Sequence, residues 1–119
     1  MRLLVIDDSK AMRMLVLRAL RQEGFDFAYR EAADGEDALQ VLTEFTPDVI
    51  LADWNMPKMN GITLLRELRT AGNKIPFGFV TSATTRGIRE SAMEEGAAFF
   101  VSKPFDPMEL ADAVRGALQ

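Results

Sequence analysis

The 119-residue chain contains neither cysteine nor histidine. Without cysteine there are no disulfides, thiolate metal sites or thiol nucleophiles, and nothing points to an oxidising compartment. Without histidine there is no Ser-His-Asp triad and no imidazole metal ligand, so a phosphohistidine could only belong to a partner. Long hydrophobic runs are also missing. The first apolar stretch, Leu3 to Ile6, stops at Asp7 and Asp8, too soon for a signal-peptide core, and nothing later approaches a membrane span. The expectation is a soluble cytoplasmic protein. Basic residues are few and dispersed: 14 Lys and Arg against 18 Asp and Glu give a net charge of -4, which disfavours direct nucleic-acid binding.

What the chain has is apolar residues, 48% of the total, enough for one compact domain over residues 1–119. They recur in short runs at Leu3 to Ile6, Val49 to Ala52, Phe77 to Val80 and Ala98 to Val101, near-continuous rather than alternating, as in strands buried on both faces. Phe27 to Glu31 alternates and suits an edge strand. Between the runs lie helical spacings: Met12, Leu15, Ala19; Ala38, Leu42, Phe45; Ile62, Leu65, Leu68; Ile88, Ala92; and Leu110, Val114, Ala117. Ser9, Asp34 and Thr84 suit helix N-caps, Asp106-Pro107-Met108-Glu109 suits a capping box, and Gly24, Gly72 and Gly96 suit helix ends. Five strand-helix alternations predict an α/β fold, a doubly wound parallel sheet with helices on both faces.

Ligands of such sheets bind beyond the carboxyl ends of the strands. That rule gathers Asp7 and Asp8 after the first strand, Asp53 after the third, Thr81 after the fourth and Lys103 after the fifth. Alone, Asp7-Asp8 reads as a turn or cap. Three converging carboxylates are different, because like charges at ~4 Å repel by roughly 4 kcal/mol at an effective dielectric of about 20. A hard divalent cation such as Mg²⁺ would compensate, with Lys103 adding charge. Asp53, opening Asp53-Trp54-Asn55-Met56-Pro57, suits a nucleophile that forms an aspartyl phosphate, and equally an acidic loop residue.

In their order and spacing, Asp7-Asp8, Asp53-Trp54-Asn55-Met56-Pro57 with Gly61, Val80-Thr81-Ser82-Ala83 and Lys103-Pro104-Phe105 resemble the receiver domains of two-component response regulators, CheY-like chemotaxis regulators in particular. The resemblance covers essentially the whole chain. It implies the flavodoxin-like strand order 2-1-3-4-5, and phosphoryl transfer to Asp53 from a sensor histidine kinase. It further implies Mg²⁺ held by Asp8, Asp53 and the Asn55 backbone carbonyl, with Asp7 acting through a water, and Lys103 on the phosphoryl oxygens. A cis Lys103-Pro104 peptide and a switch pairing Thr81 with Phe100 complete the implied site. The readout face would be the fourth helix, fifth strand and fifth helix, roughly 84–95 and 98–118, with a flagellar motor switch among the implied targets. Phe100 stands where relatives often carry tyrosine, and Ala83 where CheY-like proteins carry glutamate. Ala83 and Asn55 are therefore expected to tune dephosphorylation.

Three other readings compete. A haloacid-dehalogenase-type phosphatase needs a carboxylate two residues after its nucleophile, where this chain has Asn55. A flavin binder needs a phosphate cradle after the first strand, where Asp7-Asp8-Ser9-Lys10 would repel one. A phosphorylation-independent pseudo-receiver would not need the intact acids. The expectation is a stand-alone CheY-like regulator, with a receiver fragment of a longer protein as the alternative; no enzyme activity is expected beyond the chain's own phosphoryl transfer and dephosphorylation.

Overall fold

The computed structural model describes residues 1–83 and 85–119. Five strands and five helices alternate: β1 (Arg2–Ile6), α1 (Lys10–Gln22), β2 (Ala28–Ala32), α2 (Gly35–Val41), β3 (Val49–Ala52), α3 (Gly61–Thr70), β4 (Phe77–Thr81), α4 (Ile88–Glu94), β5 (Phe99–Ser102) and α5 (Pro107–Ala117). The strands form one sheet in the order β2-β1-β3-β4-β5, every pair parallel. The expected fold class and strand order are both observed.

The apolar runs are continuous because both sheet faces are covered. Leu4, Ile6, Ile50, Ala52, Phe77 and Phe79 face α2, α3 and α4, meeting Ala38, Ile62, Leu65, Leu68 and Ala92. Leu3, Val5, Val49, Leu51, Val80 and Val101 face α1 and α5, meeting Val16, Leu17, Leu20, Leu110 and Val114. Each buried Leu, Ile, Val or Phe contributes on the order of 1.5–3 kcal/mol, so this two-sided core fixes the sheet firmly. β2 alternates exposed and half-buried residues before the buried Ala32, as an edge strand does. Close approach dictates Gly78: a Cβ there would lie 2.0 Å from the Phe99 ring.

Caps fall largely where expected. Ser9, Asp34 and Asp106 accept from the backbone N–H groups of Met12, Asp37 and Met108, and Pro107 opens α5. The proposed cap Thr84 lies outside the described residues; α4 starts at Ile88 behind Gly87, which has φ 84° and makes no side-chain cap bond. Phe45 belongs not to α2 but to the turn after it, where the Thr43 hydroxyl donates to the Gln40 carbonyl at 2.7 Å; Phe45 is nevertheless buried. The expected core face of α1 is shifted. Val16, Leu17, Ala19 and Leu20 are buried, Met12 is half-buried, and Leu15 is 46% exposed. Apolar residues ring most of that helix, and the packing of α1 against α5 selects the stripe. Glu95, the C-cap of α4, accepts from Arg66 Nε at 2.9 Å in a half-exposed ion pair.

At the amino end of the sheet the Arg2 and Arg30 guanidiniums lie 4.4 and 4.8 Å from the Phe45 ring. Among the described residues no helix is long and apolar enough to cross a membrane.

Candidate functional site

Registry assembles the site. Ile6 pairs with Ala52, so the next residues, Asp7 and Asp53, emerge side by side; Thr81 pairs with Ser102, so Lys103 emerges beyond Thr81. Backbone bonds continue the ladder past the strands, with Asp7 N–H donating to Ala32, Asp53 N–H to Ile6 and Lys103 N–H to Thr81. Asp7, Asp8 and Asp53 each offer a carboxylate oxygen within 4.8 Å of the others. Asp7 and Asp53 are buried and Asp8 is exposed.

One ammonium answers the two buried carboxylates. Lys103 Nζ donates to Asp7 Oδ2 at 2.7 Å and to Asp53 Oδ2 at 3.2 Å. Burial alone would lower the Lys103 pKa; the hydrogen bond to Asp7 and the charges of Asp53 and Asp7 outweigh it and leave the pKa raised. The remaining oxygens are engaged locally, Asp7 Oδ1 by Ser9 N–H at 2.9 Å and Asp53 Oδ1 by Trp54 N–H at 2.7 Å. Asp8 accepts no hydrogen bond among the described residues.

The loop from Trp54 to Asn60 folds over the Asp53 end of β3. Gly61 N–H donates to the Trp54 carbonyl at 2.9 Å, and a Cβ on Gly61 would stand 2.2 Å from the Asp53 carbonyl oxygen, so only glycine lets α3 begin this close. Asp8, Asn55, Met56, Pro57 and Asn60 border a shallow hollow beside the acids. Trp54, Asn55 and Ala83 border another toward α4. Thr81 is 1% exposed, and its Oγ1 accepts from Ala83 N–H at 3.1 Å, while its hydroxyl hydrogen finds no acceptor among the described residues. Lys103-Pro104 is cis.

Phe100 lies in the core facing α4, its ring centroid 6.2 Å from that of Phe79, which is 5.1 Å from Trp54. The Arg89 guanidinium covers it 5.0 Å from the ring centroid. Two contributors escaped the sequence reading. Arg89 is one; Arg13 is the other, donating through Nη1 to the Asp7 carbonyl at 2.5 Å and through Nε to Glu31 at 2.9 Å. Sequence carries no local signal for either, since each contact joins separate elements.

The donor set is entirely oxygen, carries three formal charges and leaves Asp8 free, which fits a hard divalent cation. A family profile described as response regulator receiver domain matches residues 3–115. The chain belongs to that family. Receivers are signalling modules of two-component systems and act with sensor histidine kinases. This receiver is 39% identical over 118 residues to the DNA-binding response regulator MtrA of Mycolicibacterium smegmatis, an alignment covering 99% of the chain and 50% of that relative. The chain thus spans half the length of the curated relative it matches. Its fold superposes on a putative response regulator from Chloroflexus aurantiacus with a TM-score of 0.88 at 30% identity, covering 98% of this chain and 96% of that one. Chemotaxis response regulator CheY4 of Vibrio cholerae gives 0.82 at 28% identity, covering 98% of both chains. MtrA's description as DNA-binding conflicts with two expectations, a flagellar-switch target and the absence of a nucleic-acid partner. The acidic balance speaks only for the residues it counts, and neither expectation is retained.

Proposed function

We propose that this receiver accepts a phosphoryl group on Asp53 from a partner kinase's phosphohistidine. The observation that supports this most is the arrangement around Asp53: a buried carboxylate beside two further acids, with one ammonium bonded to it and to Asp7. An Asp53 oxygen forms the new P–O bond as the N–P bond of the phosphoimidazole breaks, and the leaving imidazole keeps the electron pair. Lys103 turns from the carboxylates to the phosphoryl oxygens, and the free hydrogen of the Thr81 hydroxyl donates to another. Asp8, Asp53 and the Asn55 carbonyl would hold Mg²⁺, with Asp7, both of whose oxygens are engaged, acting through water. When bound, the ion neutralises charge on the transferring group.

The switch follows from the same contacts. Drawing the Thr81 hydroxyl toward phosphate changes the packing beside Phe100, and α4, β5 and α5 form the readout face; the coupling is on the order of 1–3 kcal/mol. Ala83 and Asn55 border the path of attacking water and set the lifetime. The half-length match to MtrA favours an output at a transcription regulator, in the cytoplasm where its kinase partner would present phosphohistidine.

Trp54 adjoins Asp53 and serves as the reporter. Mg²⁺ should change its fluorescence saturably, and acetyl phosphate should then produce a second change and a mass gain of one phosphoryl group. Asp53→Ala should abolish the mass gain. A phosphoryl group still gained by Asp53→Ala, or none gained by the wild type, sinks the assignment and favours a pseudo-receiver.

A further inference from the structure

We infer that Arg13 is a positioning residue for the acidic pair after β1, and that its forked guanidinium rather than its charge governs cation affinity. The second half of this inference rests on the cation reading of the site given above. Arg13 lies in the first turn of α1 with its side chain 14% exposed. Its Nη1 holds the Asp7 carbonyl oxygen, and its Nε is held in turn by the Glu31 carboxylate on β2. That carbonyl belongs to the peptide plane joining Asp7 to Asp8, so fixing the oxygen fixes the direction in which the Asp8 backbone leaves.

Asp8 has no other restraint of this kind. Asp7 and Asp53 each have both carboxylate oxygens bonded, whereas the Asp8 carboxylate accepts nothing among the described residues. Its reach toward the other two acids therefore depends on its backbone. Flanking bonds, Asp7 N–H to Ala32 and Ser9 N–H to Asp7 Oδ1, grip the chain before and after this peptide; Arg13 grips the peptide itself. The task needs two donors in a rigid plane. An ammonium has donors enough for both Asp7 and Glu31, but on a flexible stem and without a fixed plane it would not set the angle between them.

Charge and positioning predict opposite signs. A guanidinium beside three carboxylates repels an incoming cation, so if charge dominated, its removal would tighten binding. If positioning dominates, removal lets Asp8 wander and binding weakens, by about 10-fold on the scale of outer residues that orient metal ligands.

The experiment is a MgCl₂ titration followed by Trp54 fluorescence on the wild type, Arg13→Lys, Arg13→Gln and Arg18→Gln, the last removing an exposed cation elsewhere on α1. Thermal midpoints check that each variant is folded, and amide exchange at Ser9 is measured without metal. Both Arg13 variants should bind Mg²⁺ about 10-fold more weakly and exchange faster at Ser9, while Arg18→Gln matches the wild type. Should Arg13→Gln fail to fold, Arg13→Lys decides, because it keeps the charge and loses the fork. Unchanged or tighter binding in folded Arg13 variants overturns the inference. A wild type that binds no Mg²⁺ sinks the cation reading and the affinity claim, leaving Ser9 exchange to uphold or overturn the positioning of the peptide.

Discussion

Lys103 holds Asp7 and Asp53 together at 2.7 and 3.2 Å, so the metal-free protein depends on a single ammonium to settle its acidic end. Burial opposes that charge, and the two aspartates more than restore it, raising the pKa above its ordinary 10.5. Because the folded value exceeds the unfolded one, this stabilisation is complete below pH 10.5 and disappears as pH rises through the folded pKa. The urea midpoint of the metal-free protein should therefore fall above pH 10.5, and more steeply than that of Lys103→Gln, which lacks the titrating group. Parallel curves for the two proteins would remove the linkage. At this scale the sequence was readable wherever a residue's type and its strand-end position coincided: Asp7, Asp8, Asp53, Thr81 and Lys103 all converge. It was silent on Arg13 and Arg89, whose partners Glu31 and Phe100 lie on other elements. An arginine in a first helical turn looks the same whether it waves in solvent or grips a peptide.

Among the elements, the β4–β5 contact is the tightest constraint. A Cβ on Gly78 would meet three ring carbons of Phe99 at 2.0 to 2.4 Å, and both residues are buried. Gly78→Ala should lower stability by about 1–3 kcal/mol, the usual cost of overpacking. Denaturant midpoints measure it, and adding Phe99→Leu to Gly78→Ala should recover part of the loss; independent, additive effects would contradict the steric account. β1, β3, β4 and β5 were legible because they bury both faces, leaving uninterrupted apolar runs such as Val49 to Ala52, whereas β2 showed only the alternation of an edge strand. The orientation of α1 was not. Met12, Met14, Leu15, Val16, Leu17, Ala19 and Leu20 allow two apolar stripes, and only contact with α5 decides between them. α4 shows the converse, a helix whose start lies at Gly87, in a left-handed conformation the sequence did not announce.

For the molecule as a whole, the proposed cation site would link folding to binding, since the carboxylate cluster exists only when β1 and β3 are paired. Mg²⁺ at about 100 times its dissociation constant should stabilise the receiver by roughly 2.7 kcal/mol. Thermal melts should rise by several degrees, return to baseline with EDTA and rise less in Asp8→Asn; a melt indifferent to Mg²⁺ would separate the acids from any cation. The parallel sheet also gives the protein a front and a back. Every site residue leaves the carboxyl edge, while the opposite edge carries the Arg2, Phe45 and Arg30 stack. Thr46, exposed beside that stack, is a place to anchor the molecule. With no native thiol to compete, a cysteine introduced there would tether receivers to a sensor chip in uniform orientation, acids toward the flow.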